Sequence, residues 1–304
     1  MGVDEILGSD QVVALGYVTP ASGVVVTPVT NFGLRDRDAG TLTSINSSVG
    51  VSKKLERIRE NPKVALAFHT RHLSFSERLE YVLVQGTASL SAPDADYPRS
   101  IRTAWERFGG PVDVGPVWNW WLSVYNTRVA VTIAVERMMV WPDLSCTGGY
   151  EVHGLALGSK PAEQAPPANG KGPRVDHRRA AKRARRLPEQ LLAWVDGDGY
   201  PVIVPVGVSH VEAGGIILEV PAHVVPSGGR RAGLVAHTFA RYTAGQNQRK
   251  HTGWMEARPD GRVLYAPHTA KGYRMPASMF VYRLSAGAVT RRGVRDARRA
   301  GLIA

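Results

Sequence analysis

The 304-residue chain has a single cysteine, Cys146, only 8% aromatic residues, and no apolar run near the ~20 residues that a membrane helix needs. One thiol excludes an internal disulfide and a cysteine-based metal cluster. His69 and His72 in "HTRH" have no third ligand at metal spacing, and Cys146 with His153 in "CTGGYEVHG" stands alone, so no metal is expected. The opening "MGVDEILGSD" is acidic and lacks a basic stretch followed by an apolar block, which argues against a secretory signal. Ile6 also stands where a myristoylation signal has Ser or Thr. The expectation is a cytoplasmic chain with no membrane partner.

Acidic residues are few as well: 26 Asp and Glu against 38 Lys and Arg, a formal net charge of +12. That excess is local. Residues 160–186 carry a net +7 and residues 291–299, "RRGVRDARR", a net +4, which leaves the rest almost balanced. A basic groove across the folded body is therefore not expected, and neither basic segment interleaves aromatics for base stacking. Nucleic acid is not an expected partner.

What the sequence has is strands. "VVALGYVT", "GVVVTPVTNFG", "GTLTSINSSVG", "KVALAFHT", "EYVLVQGTASL" and "TRVAVTIAVERMMVW" are short, β-branched and separated by turn residues. Helices are expected at "KKLERIREN", closed by Pro62, and from about Asp94 to Phe108. Residues 158–175 have the Pro, Gly and Ala content of a linker, and "DHRRAAKRARRLPEQLLAWV" reads as a basic helix. Strands then resume, from "GYPVIVPVGVSHV" to "MFVYRLSAGAV". Many strands with few helices point to a mainly β chain of barrel type. The halves echo each other in order: "ASGVVVTPV" with "GDGYPVIVPV", "KVALAFHT" with "RAGLVAHTF", and "YVLVQGTASL" with "QRKHTGWMEA". Three pairs in register suggest a tandem duplication. The expected division is a first barrel over 1–157, a basic linker and helix over 158–186, and a second barrel with a basic tail over 187–304.

The stretch "SINSSVGVSKKLERIRENP" carries the chemistry. Lys53 and Lys54 fall in the first turn of a helix with Ser52 as cap, where ammonium groups oppose the helix dipole. A bound anion reverses that cost by taking both the free N–H groups and the charges. Ser47 and Ser48, ending the preceding strand, add hydroxyl donors. The pattern is a phosphate site without the Gly-Lys-Thr loop of nucleotide hydrolases.

"SKKLERIRENP" resembles the Ser-Arg-Lys…Asn-Pro segment of the pyridoxamine 5'-phosphate oxidase-like flavoproteins. Ser52, Lys53 and Lys54 stand on its Ser-Arg-Lys, and Asn61 and Pro62 follow Lys54 at its spacing. The resemblance, over most of residues 10–142, implies two tandem split β-barrels of the FMN-binding type, with flavin phosphate held by Ser47, Ser48, Ser52, Lys53 and Lys54. It implies Pro28, Val29 and Thr30 as backbone contacts to the ring edge. It also implies an intramolecular pseudo-dimer in which the second half covers the ring through Arg249, His251, Trp254, Tyr265, His268, Lys271 and Arg274. His251 and His268 are its candidate proton carriers. The second half has only Arg230 and Arg231 at the corresponding turn and looks degenerate as a phosphate holder. The implied activity is an FMN-dependent oxidoreductase acting on a small organic substrate. Alternatives are a deazaflavin-dependent reductase, or a flavin- or haem-binding protein without catalysis. Vitamin B6 oxidation is disfavoured, because "VVVTPVTNFG" lacks that reaction's Arg and Lys. Further homodimerisation stays open.

Overall fold

The computed structural model describes residues 2–47, 53–221 and 223–299. The chain is mainly β, with two eight-stranded antiparallel sheets. The first comprises β1 (Val12–Val18), β2 (Val24–Thr30), β3 (Leu34–Asp36), β4 (Thr41–Ser47), β5 (Lys63–Phe68), β6 (Tyr81–Leu90), β7 (Arg128–Trp141) and β8 (Glu151–Gly154). The second comprises β9 (Glu189–Val195), β10 (Pro201–Pro205), β11 (Gly207–Glu212), β12 (Gly215–Glu219), β13 (Gly229–Thr238), β14 (Asn247–Ala257), β15 (Val263–Pro267) and β16 (Lys271–Arg274). The strand orders are β2-β1-β5-β6-β7-β4-β3 and β10-β9-β13-β14-β15-β12-β11. Each second-half strand takes the place of the strand eight earlier, so the two orders are identical, as a tandem duplication requires. Only the last strand differs: β8 pairs with β7, whereas β16 pairs with β14.

Alternation along β1 explains why all of "VVALGYV" is buried. Val13, Leu15 and Tyr17 fill the first half's interior, which the Lys53–Glu60 helix closes with Leu55 and Ile58. Ala14, on the opposite face, joins a larger cluster that draws on both halves, with Val24, Val26, Leu83 and Trp141 meeting Leu192, Trp194, Val204 and Leu234. The main core is thus the junction itself. Polar bonds cross it too: Tyr81 donates to the Ile203 carbonyl (2.7 Å), Gln85 to the Pro201 carbonyl (2.7 Å), and Arg137 pairs with Asp198 (2.6 Å).

The helices differ in part from expectation. The Asp94–Phe108 stretch is two pieces, Tyr97–Ser100 and Arg102–Gly109, broken at Ile101 (φ −111°, ψ 30°). The basic helix ends at Ala184, and "EQLLAWV" is strand β9. "MFVYRLSAGAV", expected as a strand, opens a 21-residue helix, Met279–Arg299. Its inward positions, Tyr282, Ala286 and Thr290, recur every four residues, the helical period that its β-branched and aromatic content masks. The expected linker is also fastened. Gln164 donates to the Ser22 carbonyl (2.9 Å) and accepts from the Arg231 N–H (2.9 Å), which ties it to both halves.

Two features of the junction can be tested. A Cβ on Gly233 would lie 2.4 Å from the Val24 carbonyl oxygen, a backbone atom with nowhere to go. Gly233→Ala should therefore force β2 from β13 and lower stability by about 1–3 kcal/mol, read from chemical denaturation. The second feature is His69 and His237, equivalent residues of β5 and β13 extended, whose Nε2 atoms lie 2.8 Å apart. His69 Nδ1 lies 3.1 Å from the Ala67 carbonyl, so it carries the proton, and His237 must donate between the rings. Burial lowers both pKa values below 6.5, with each ring's neutrality required by the other. Because the unfolded chain binds these protons more readily, the pair's contribution to stability should be full above pH 6.5 and fall as pH drops below it. Thermal melts from pH 8 to pH 5 of the parent and of His69→Gln/His237→Gln check this, and the same pH dependence in both would refute it.

Candidate functional site

Three cations from separate elements converge where β2, β4 and β7 of the first half meet β14 of the second. Lys54, in the first turn of the Lys53–Glu60 helix, donates to the side-chain oxygen of Asn46 on β4. Burial of its ammonium group, helped by the charges of Lys250 and Arg128, pulls its pKa down to about 7. Lys250, on β14, reaches across to Thr27 Oγ1 on β2 (3.4 Å). Burial and neighbouring Lys271 lower its pKa as well. Arg128, the first residue of β7, is 7% exposed, with its guanidinium over Tyr125 (4.2 Å) and Trp105 (5.0 Å). No carboxylate pairs with Lys54, Arg128 or Lys250 among the described residues. Cations gathered without a counter-ion make a site for an anion.

Unpartnered donors agree with that. Arg128 Nε and Asn46 Nδ2 are buried without an acceptor, as is the Ser44 hydroxyl on the same strand. Buried donors normally find acceptors, so oxygen atoms of a ligand fit here. Arg128 also borders a cavity of about 100 Å³ lined by Thr30, Phe32, Ile45, Trp105 and Tyr282. Tyr125 and Tyr282 close its outer side through a 2.6 Å hydroxyl–hydroxyl bond, and burial with Tyr125 raises the Tyr282 pKa.

The expected site residues separate into groups. Thr30 lines the cavity, Pro28 and Val29 are buried in the same strand, and Ser47 pairs with Arg128 in the sheet. Ser48 and Ser52 lie outside the described residues. Lys54 joins the cation cluster, whereas Lys53 is exposed. Lys271 lies opposite Lys250, and Arg274 is an exposed residue of the same edge strand. Trp254 and Tyr265, expected over a ring, are corrected to core residues. Trp254 is 2% exposed with its indole N–H on Glu256 (3.0 Å), and Tyr265 is fully buried. His268 stands apart, beside the Lys171 carbonyl, and Arg249 and His251 alternate onto the face of β14 away from Lys250. Arg230, at the second half's equivalent turn, is 1% exposed and spends a guanidinium nitrogen on the Ser227 carbonyl (2.7 Å), so it holds its own loop.

Arg128 and Lys250 were not singled out from the sequence. A lone Arg opening a strand, and a Lys inside "RKHTGW", carry no local signal of convergence. The duplication does supply one. Carrying the strand registers from one sheet to the other makes Leu83 the counterpart of Lys250, Val204 of Thr27, Val220 of Asn46 and Asp260 of Arg128. Leu83 and Val204 are fully buried in the junction core. The cation cluster therefore exists once: at its symmetric position Leu83 and Val204 replace Lys250 and Thr27, and the acidic Asp260 replaces Arg128.

No protein-family model and no curated protein matches the chain. Solved structures do. A general stress protein 26-related protein of the pyridoxinephosphate oxidase family from Clostridium acetobutylicum aligns at 12% identity over 50% of this chain and 92% of its own (TM-score 0.34). An F420 reductase aligns at 18% identity over 45% and 96% (TM-score 0.34). A pyridoxamine 5'-phosphate oxidase-related, FMN-binding protein from Nostoc punctiforme aligns at 15% identity over 43% and 74% (TM-score 0.27).

The lowered pKa of Lys54 sets a pH test. Its ammonium form dominates below about pH 7 and is lost above it, so anion affinity should fall as pH rises through that value. Sulfate, which does not titrate there, is the probe, and the pH-dependent component should be absent in Lys54→Gln.

Proposed function

We propose that the chain binds one phosphorylated flavin or deazaflavin in the junction between its halves and acts as an oxidoreductase on a small organic substrate. FMN is the first choice of cofactor. The observation that carries this reading is the convergence of Lys54, Arg128 and Lys250 from both halves, with no carboxylate to neutralise them. The resemblance of residues 52–62 to a flavin-phosphate segment supports it.

On this reading Lys54 and Lys250 hold the phosphate, with Asn46 orienting the Lys54 ammonium and Thr27 that of Lys250. Arg128 Nε, lacking a protein acceptor, is free for a ligand oxygen. Phe32, Trp105 and Tyr125 give the adjoining cavity apolar walls that exclude water. Asn61 fixes the helix that carries Lys54: its side-chain oxygen takes the Lys63 N–H (3.2 Å), which turns the chain into β5. A bound flavin or deazaflavin would supply hydride transfer, while the protein supplies binding and orientation.

The visible spectrum of the purified protein, with mass spectrometry of what it releases on denaturation, tests the cofactor and separates FMN from deazaflavin. One equivalent per chain is expected, since the symmetric position is filled. Lys54→Ala should weaken retention by about 1.5–3 kcal/mol, the worth of a charge-assisted hydrogen bond. Equal cofactor content in variant and parent would remove Lys54 from the site. Oxidation of a reduced nicotinamide donor separates an enzyme from a carrier.

A further inference from the structure

On the face of β14 away from Lys250, Arg249 and His251 meet the His177–Ala184 helix. Arg179 and Arg183, one turn apart on that helix, face them across a cavity of about 230 Å³, with Lys271 at its edge. Three guanidinium groups thus stand against one carboxylate, Asp176, which accepts the backbone N–H of Arg179 as the helix cap (2.9 Å). Arg179, Arg183 and Arg249 form no salt bridge among the described residues. Gly272 makes room for one of them, because a Cβ there would fall 2.1 Å from Arg249 Nη1.

His251 distinguishes this cavity from a cluster of surface charges. It is 5% exposed and lines the cavity, with Nδ1 3.0 Å from the Thr269 carbonyl. A carbonyl only accepts, so Nδ1 carries the proton and Nε2 presents a lone pair. That Nε2 is buried and has no partner. Burial, seconded by the charge of Arg249, lowers its pKa and keeps the ring neutral. The cavity therefore offers several cationic donors, with one unpartnered neutral acceptor buried in its wall. A bare anion satisfies only the donors.

We propose that this cavity is a second binding site, independent of the junction, for a small phosphate ester with a hydroxyl near its phosphate, as in a sugar phosphate. The guanidinium groups take the phosphate oxygens, bidentate where geometry allows. His251 Nε2 accepts the ligand's hydroxyl. The volume corresponds to roughly eight waters of liquid, which suits one sugar phosphate and not a nucleic acid strand.

Titration calorimetry of the full chain tests this, with ribose 5-phosphate and inorganic phosphate as probes. Ribose 5-phosphate should bind more tightly than inorganic phosphate. Arg179→Ala/Arg183→Ala should weaken it about tenfold or more, as expected for lost charge-assisted bonds. Both arginines are exposed, so that variant should keep its fold. His251→Phe should abolish the preference over inorganic phosphate, and Lys54→Ala should leave ribose 5-phosphate binding unchanged, which keeps this site's failure apart from the junction's. No binding, equal affinity of the two probes, an unaffected double-arginine variant, or loss of binding in Lys54→Ala would each overturn the assignment. So would binding that appears only with oligonucleotides.

Discussion

Everything in this molecule depends on how closely two equivalent sheets approach. Where β2 crosses β13, only the bare backbone of Gly233 lets the Val24 carbonyl come near, and the largest apolar cluster condenses around that contact. The histidine pair sits in the same seam, and Tyr81, Gln85 and Arg137 bond across it. Because burial at the seam removes water from Lys54 and Lys250, it also makes their charges costly. The force that joins the halves thus creates the unbalanced cations, whose cost a bound anion or the loss of a proton relieves.

Much of this was readable beforehand, for identifiable reasons. Strand identity follows from β-branched content and turns, and the duplication from three matched strand pairs, all on equivalent strands here. Lys54 could be found because a lysine at a helix start violates a local rule. Arg128 and Lys250 violate none, since their meaning comes from packing of segments more than a hundred residues apart. Trp254 and Tyr265 misled for the opposite reason. Each has a polar tip that suggests a ligand contact, yet Glu256 and the Ala232 carbonyl satisfy those tips inside the core. The C-terminal helix was hidden because residue type spoke for a strand while spacing spoke for a helix.

The basic segments also change meaning in three dimensions. The sequence shows residues 160–186 as a charged linker and helix. Folded, Gln164 fastens the segment across both halves, and Ala180, Ala181 and Ala184 seat the helix against the second sheet. Arg185 is spent on the Val208 and Ser209 carbonyls, which anchors the helix end. Charge that looked solvated is partly structural, and partly lines the cavity over Arg249 and His251.

The unequal filling of the two junction positions has a consequence for inheritance. In an assembly of two identical chains, any substitution appears in both copies of a symmetric site, so a change that improves packing at one must damage binding at the other. Covalent joining lifts that restriction. Leu83 and Val204 can serve cohesion while Lys250 and Thr27 serve the ligand proposed above, and each copy of the ancestral unit is free to drift toward its own task.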